Sequence, residues 1–305
     1  MQIAIIGTTA SGKSDLALNI AKQTNSIILS LDSLCVYKEI DIASAKPTHA
    51  QMSSIKHFGI DVIRPDESFN VTIFFDLYKM AKKEAQLKSV PLIIVGGTSF
   101  YLKAMLSGLS DKPLVSKENQ KKTTRTLRDI KNAYEYLTQT DPIMGRKIEA
   151  NDRYRIEKWY EIYFETGKIP SDFLQRTKKE PLIKHLPIFE IDTDKDILQQ
   201  RIAVRTKKMI SNGLVDEIAR LEKKYTREPN CMKAIGIKEV IDYFDGLYSL
   251  KQMEEKIIIN TSKLAKRQRT FNKTQFIQPI IKKPLDKMEK AIMSELTSKS
   301  HMKQV

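Results

Sequence analysis

Eight consecutive residues, Gly7-Thr8-Thr9-Ala10-Ser11-Gly12-Lys13-Ser14, follow an apolar run of Ile3, Ala4, Ile5 and Ile6. They match the phosphate-binding loop G-x-x-x-x-G-K-[ST] in its strand-to-helix setting, the ATP-binding loop type. The glycines let the backbone wrap so that N–H groups converge on an anion, and the helix opening near Gly12 adds its positive end. Lys13 is the expected counter-charge to a terminal phosphate, and the Ser14 hydroxyl the expected Mg²⁺ ligand. A di- or triphosphate ligand is predicted, with no choice among them.

Two more polar junctions close apolar runs. Asp32-Ser33 follows Ser26 to Leu31, and Gly96-Gly97-Thr98 follows Pro91 to Val95. Both runs read as strands, and apolar residues at three- and four-residue spacing predict a helix over Val71 to Leu87. The alternation predicts an α/β fold, a P-loop NTPase-like parallel sheet flanked by helices, with all three junctions at the carboxyl ends of its strands. An aspartate there can take a proton, and a threonine hydroxyl can donate to developing negative charge. The plainer roles are a turn or N-cap carboxylate for Asp32 and a turn hydroxyl for Thr98.

Between Lys112 and Lys184 the pattern is helical and rich in Lys, Arg, Glu and Tyr. Residues 112–184 are therefore predicted to form a helical insertion domain within a core made of 1–111 and 185–305. A strand resumes over Pro187 to Ile191. The helix beginning near Asp194 then carries Arg201, Arg205 and Lys208 at i, i+4 and i+7, on one face. Such a stripe is often only a solvated surface. A later helix, Lys256 to Phe271, bears Lys263, Lys266, Arg267 and Arg269, and the polar tail after about Glu295 is expected to be loose.

The 305 residues include 52 Lys+Arg against 37 Asp+Glu, a formal charge of +15. That excess favours a polyanionic partner such as nucleic acid, although a lysine-rich surface without function has the same composition. Hydrophobic residues, at 41%, suffice for a large core at this length. Cys35 and Cys231 are too few for a disulfide framework or a zinc site, which points to a reducing compartment. No apolar run approaches a membrane span, and the first strand starts at Gln2, so a cytoplasmic location without a leader or membrane partner is expected.

The phosphate loop is followed by Asp32-Ser33, Val36-Tyr37, Asp41-Ile42, Ala45-Lys46-Pro47, Gly96-Gly97-Thr98 and Tyr101-Leu102. Asn151-Asp152, Arg155, Glu161, Arg201-Ile202, Arg205, Met209, Gly213, Ala234-Ile235-Gly236, Lys238-Glu239 and Leu264-Ala265-Lys266-Arg267-Gln268 continue the series. In this order and spacing, over nearly the whole chain, they resemble the bacterial tRNA dimethylallyltransferases, or tRNA isopentenyltransferases. The resemblance implies transfer of a dimethylallyl group from dimethylallyl diphosphate to N6 of the adenosine 3′-adjacent to the anticodon, with release of diphosphate. It makes Asp32, Thr98 and Arg205 the catalytic residues, and Gly7 to Ser14 with Arg201 the diphosphate site. The tRNA anticodon stem-loop falls to Asp32, Ser33, Leu34, Cys35, Thr98, Gln120, Tyr154, Arg155, Lys158, Lys266, Arg267 and Arg269. Mg²⁺ is the expected cofactor, on Ser14, and a monomer the expected state. Such chemistry suits the residues: adenine N6 is a weak nucleophile, so a carboxylate that takes its proton assists attack, while cations meet the departing diphosphate.

The chain departs from the family pattern at several places. Cys35 stands where many members have Gln, Ala43-Ser44 where Gly-Thr is common, and Tyr154 and Lys158 where Gln and Arg are frequent. Gln120 lies near a position often basic. His57 and Asp61 are expected to pack or hydrogen-bond. Three other classes stay open to the residues themselves. One is a small-molecule kinase, which lacks an acidic residue after Val95 and an evident lid; another is an RNA-binding module, in which Asp32 would repel phosphate. The third is an isopentenyltransferase for free adenine nucleotides, against which the insertion and the basic carboxyl-terminal half weigh.

Overall fold

The computed structural model describes residues 1–301. The chain divides into two compact units, one of Met1–Lys103 together with the chain from His185 onward, the other of Ala104–Lys184. In the first, β1 (Gln2–Ile6), α1 (Lys13–Thr24), β2 (Ile27–Ser30), α2 (His49–Ser54), β3 (His57–Phe58), α3 (Val71–Leu87), β4 (Leu92–Gly96) and α4 (Ser99–Ser107) succeed one another, the division falling within α4. The second unit contains α5 (Lys117–Thr126), α6 (Ile130–Thr140), α7 (Pro142–Gly145), α8 (Arg153–Thr166) and α9 (Pro170–Arg176). The first unit resumes with β5 (Ile188–Asp192), α10 (Lys195–Ser211), α11 (Leu214–Tyr225), α12 (Ile237–Phe244), α13 (Leu250–Gln275), β6 (Ile280–Pro284) and α14 (Leu285–His301).

The sheet has six strands in the order β3-β2-β4-β1-β5-β6, with every pairing parallel. Central β1 is apolar without alternation because both of its faces are covered, and Ile3, Ala4, Ile5 and Ile6 are fully buried. Registers Ile6↔Gly96 and Ser30↔Val95 bring the ends of β1, β4 and β2 level. The three polar junctions therefore emerge side by side. One core layer joins Leu16 and Ile20 of α1 and Ile5, Ile93 and Phe189 of the sheet to Met288, Ile292 and Leu296 of α14. Another packs Leu214 and Ile218 of α11, Val240 of α12 and Ile257 of α13 against Val36 and Ile40 of the loop after β2.

Three features depart from expectation. The segment after Asn272 adds an edge strand, β6, whose run is too short and too rich in lysine and proline to signal itself. α14 continues through His301, so the part of the expected loose tail from Glu295 to His301 is helical, and the rest lies outside the described residues. The reason is an apolar stripe at four-residue spacing, Met288, Ile292 and Leu296, hidden in polar composition and buried on the sheet. α13 starts earlier than Lys256 because Ser249 and Gln252 form a capping box.

The helical unit has its own core around fully buried Trp159. Asp141 anchors it, accepting from Trp159 Nε1 (3.0 Å) and from the backbone N–H groups of Met144 (3.1 Å) and Ser171 (2.9 Å). Burial pushes this carboxyl up, but the bonds from Trp159, Met144 and Ser171 outweigh it and hold the group below the usual aspartate value.

Candidate active site

The phosphate loop turns at Gly12, whose φ of 91° lies in the left-handed region; a Cβ there would meet Leu285 Cδ2 at 2.9 Å. Lys13 is 9% exposed, and its Nζ donates to the Thr8 carbonyl (3.1 Å). Burial first, and the Arg205 guanidinium second, bring its pKa down to about 8, against the opposing pull of Asp32 and Cys35. The Thr8 and Ser11 hydroxyls are buried with no hydrogen-bond partner among the described residues, while that of Ser14 faces outward into the cavity described below. Arg201 Nη1 donates to the Ser11 carbonyl (3.3 Å), bracing the loop from α10.

At the neighbouring junction, Asp32 Oδ1 accepts from the N–H of Leu34 (2.8 Å) and of Cys35 (3.3 Å). The turn role open to Asp32 is thus real, and it orients the carboxylate; Oδ2 accepts no hydrogen bond among the described residues. Thr98 joins the same turn: its N–H donates to the Leu31 carbonyl (3.0 Å), and its Oγ1 accepts from the Ser33 N–H (3.3 Å). Gly96 is glycine because a Cβ would sit 2.1 Å from the Leu31 oxygen. Gln268 of α13 completes the cluster, its Oε1 accepting from the Thr9 N–H (2.9 Å) and its Nε2 donating to the Gly97 carbonyl (3.1 Å). Its family segment was visible in the sequence, but its bridging role depends on contacts 259 and 171 residues away.

These groups wall one cavity of about 570 Å³, which Lys13, Ser14, Asp32, Thr98, Arg205 and Gln268 all line. Cations for a diphosphate and a carboxylate for a proton therefore share one space with apolar side chains such as Val95, Ile202 and Ile257. Cys35 also lines it; burial, with Asp32 next, pushes the thiol far up, so it is a neutral donor, to the Ser44 carbonyl (3.7 Å). His57 lines the cavity as well, its Nδ1 donating to the Ile55 carbonyl (2.7 Å), and burial lowers its pKa.

With this geometry in hand, residues 35–275 match the family described as IPP transferase. The chain belongs to the IPP transferase family. The tRNA dimethylallyltransferase of Sulfurovum sp. (strain NBC37-1) is 49% identical over 293 residues, 96% of this chain and 97% of its own length. That of Aliarcobacter butzleri (strain RM4018) is 54% identical over 276 residues, 90% and 92% respectively. The crystal structure of the full-length tRNA isopentenylpyrophosphate transferase from Bacillus halodurans is similar with a TM-score of 0.71 at 27% identity, covering 100% of this chain and 99% of that one.

In this IPP transferase the remaining expected residues divide by location. Ser33, Leu34 and Arg267 line the cavity with Asp32. Arg201 and Lys208 line an adjoining hollow of about 1080 Å³, to which Lys13, Ser14 and Arg205 are common. Lys266 is exposed, and Arg269 donates from Nη2 to the Thr193 carbonyl (2.8 Å). In the helical unit, Gln120 Nε2 donates to the Val115 carbonyl (3.0 Å), and Arg155 pairs with Asp152 (3.3 Å). Tyr154 is 69% exposed, with Lys158 Nζ 5.5 Å from its ring centroid, and Lys158 also pairs with Glu161 (2.7 Å). Among the described residues no cluster of three or more His, Cys, Asp or Glu could hold a metal ion, and no helix is long and apolar enough to cross a membrane.

Proposed function

We infer that this IPP transferase moves a dimethylallyl group from dimethylallyl diphosphate to N6 of the adenosine 3′-adjacent to the anticodon of tRNA. The observation that carries this reading is one cavity lined by a phosphate loop, the Asp32 carboxylate and the Arg205 guanidinium together. A base inside a stacked anticodon loop cannot reach such a space, so the adenosine leaves the stack to enter it. As the N6–carbon bond forms and the carbon–oxygen bond to diphosphate breaks, Asp32 takes the N6 proton, and negative charge collects on the leaving group. Lys13, Arg205 and the Thr98 hydroxyl stabilise that charge, with Arg201 bracing the loop. Such groups are already in place when the charge develops, so no reorganisation is needed at that moment and the barrier falls.

Mg²⁺ fits the site in a limited way. The exposed Ser14 hydroxyl can supply one ligand, and with no cluster of three or more His, Cys, Asp or Glu among the described residues the other ligands would be diphosphate oxygens and water, the usual manner for Mg²⁺ on phosphate substrates. When bound, the ion would neutralise part of the diphosphate charge. For tRNA, Ser33, Leu34 and Cys35 meet the everted nucleotide, while Gln120, Tyr154, Arg155 and Lys158 of the helical unit and Lys266, Arg267 and Arg269 of α13 take the backbone and flanking bases. These contacts position the RNA more than they read it. The enzyme works as a cytoplasmic monomer. Incubation with labelled dimethylallyl diphosphate, Mg²⁺ and an anticodon stem-loop, followed by nucleoside mass spectrometry, tests the reading. One dimethylallyl added per stem-loop, on adenosine and without ATP, is expected; dependence on ATP, or preference for free adenosine monophosphate, would overturn it.

A further inference from the structure

The loop Asp41 to Pro47 forms part of the cavity wall through Ala43, Ser44, Ala45 and Pro47, and its internal bonds, from the N–H of Ala45 to the Ile42 carbonyl (3.0 Å) and of Lys46 to the Asp41 carbonyl (3.1 Å), leave the N–H groups of Asp41, Ile42 and Ala43 to a partner outside it. Its anchor comes from 174 residues further on. Glu217, 4% exposed on α11, accepts three successive backbone N–H groups: Asp41 (3.0 Å) and Ile42 (2.8 Å) on Oε2, and Ala43 (2.9 Å) on Oε1. Three N–H groups converging on one buried carboxylate form an anion nest turned inward, filled by the protein's own side chain. Glu217 lines neither hollow.

Two further ties define what the clamp connects. Lys46, whose side chain is 3% exposed, donates from Nζ to the Tyr37 carbonyl (2.7 Å) and pairs with Asp41 (2.7 Å) and Asp61 (2.6 Å). The Cys35 thiol reaches the Ser44 carbonyl, so the wall is bonded to the turn that carries Asp32. On the other side, α11 follows α10 through Gly213 and packs on it, and α10 carries Arg205 and Met209 into the same cavity.

We propose that Glu217 is a positioning residue for the transfer, its carboxylate holding the Asp41–Pro47 wall in register with Arg205 so that acceptor and donor meet within one rigid cavity. This rests on the function inferred above. Glutamine keeps the volume but offers one acceptor oxygen; with that oxygen at the Oε2 position its NH₂ faces the Ala43 N–H, so at least one loop amide loses its partner and meets a donor instead; aspartate keeps the charge one methylene short. Displacement of reacting groups by about 1 Å costs on the order of 10²-fold in rate. Glu217→Gln is expected to lower kcat about 10- to 100-fold while the Kd for tRNA stays within about twofold, and Glu217→Asp to recover part of the loss.

Amide hydrogen exchange gives a readout independent of activity. In the wild-type protein the N–H groups of Asp41, Ile42 and Ala43 should exchange slowly, and in Glu217→Gln faster, while those of β1 and β4 remain protected. Wild-type amides at 41–43 exchanging like open loop would overturn the proposal, even if the glutamine variant does not fold. So would a folded variant with kcat within about twofold of wild type, or a rate loss equal to the unfolded fraction seen by circular dichroism. Absence of transfer in the wild type would count against the function instead, with the exchange pattern still deciding the clamp.

Discussion

In the proposed transfer Asp32 has two loads on one carboxylate: Oδ1 closes its own turn, and Oδ2 is the oxygen that would take the substrate proton. Asp32→Asn keeps an oxygen for the turn and removes the base, so single-turnover transfer at saturating tRNA should fall about 10²- to 10⁴-fold with donor affinity little changed. A rate within a few-fold of wild type would dismiss the base. Lys13 predicts a pH effect. Burial, then Arg205, hold its pKa at about 8 without ligand; a bound diphosphate favours the charged form and raises it. Below pH 8 the lysine is already charged and adds no pH dependence of its own, whereas above it binding must take up a proton. Affinity for dimethylallyl diphosphate should thus weaken as pH rises past 8, by up to about tenfold per unit. Lys13→Arg, charged throughout, should flatten this dependence in calorimetric titrations even if it binds less well.

At the scale of elements, long-range polar bridges assemble the site and apolar stripes support it. Gln268 holds the phosphate loop to the Gly97 junction. Gln268→Leu removes both bonds, a loss of about 1–3 kcal/mol, and is expected to raise the donor KM while tRNA affinity in filter binding is unchanged; an unaltered donor KM would show the bridge to be idle. α14 contributes differently. Its Ile292 is fully buried with Met288 and Leu296 against the sheet face beneath the phosphate loop's helix α1. Ile292→Ala should therefore destabilise the protein by about 2–5 kcal/mol in chemical denaturation. The helix's end was invisible in sequence because its polar residues outnumber the stripe that folds it.

For the whole molecule, the charge of +15 predicts that tRNA binding is dominated by counterion release. With about 6–10 phosphates neutralised, affinity should drop roughly 10³- to 10⁵-fold between 50 and 200 mM salt. Lys13→Ala, by contrast, should abolish transfer with tRNA affinity and its salt slope nearly intact, since one cation at the donor site is a small part of that total. Loss of both together would mean that the phosphate loop grips RNA. What the sequence by itself determined is local and periodic: the phosphate loop, the apolar strands that end in Asp32 and Thr98, the Val71–Leu87 helix and the cationic face of α10. Each is written in adjacent residues or a short repeat, where sterics and burial act over a few positions. Family motifs extended this to the chemistry without locating the partners. The tertiary structure alone decided that Arg205 shares the cavity while Arg201 braces the loop, that Arg269 spends a donor on Thr193, and that Gln268 and Glu217 shape a site begun more than 150 residues earlier. A backbone N–H has the same chemistry in every residue, so nothing in the order of amino acids marks which ones a distant side chain will hold.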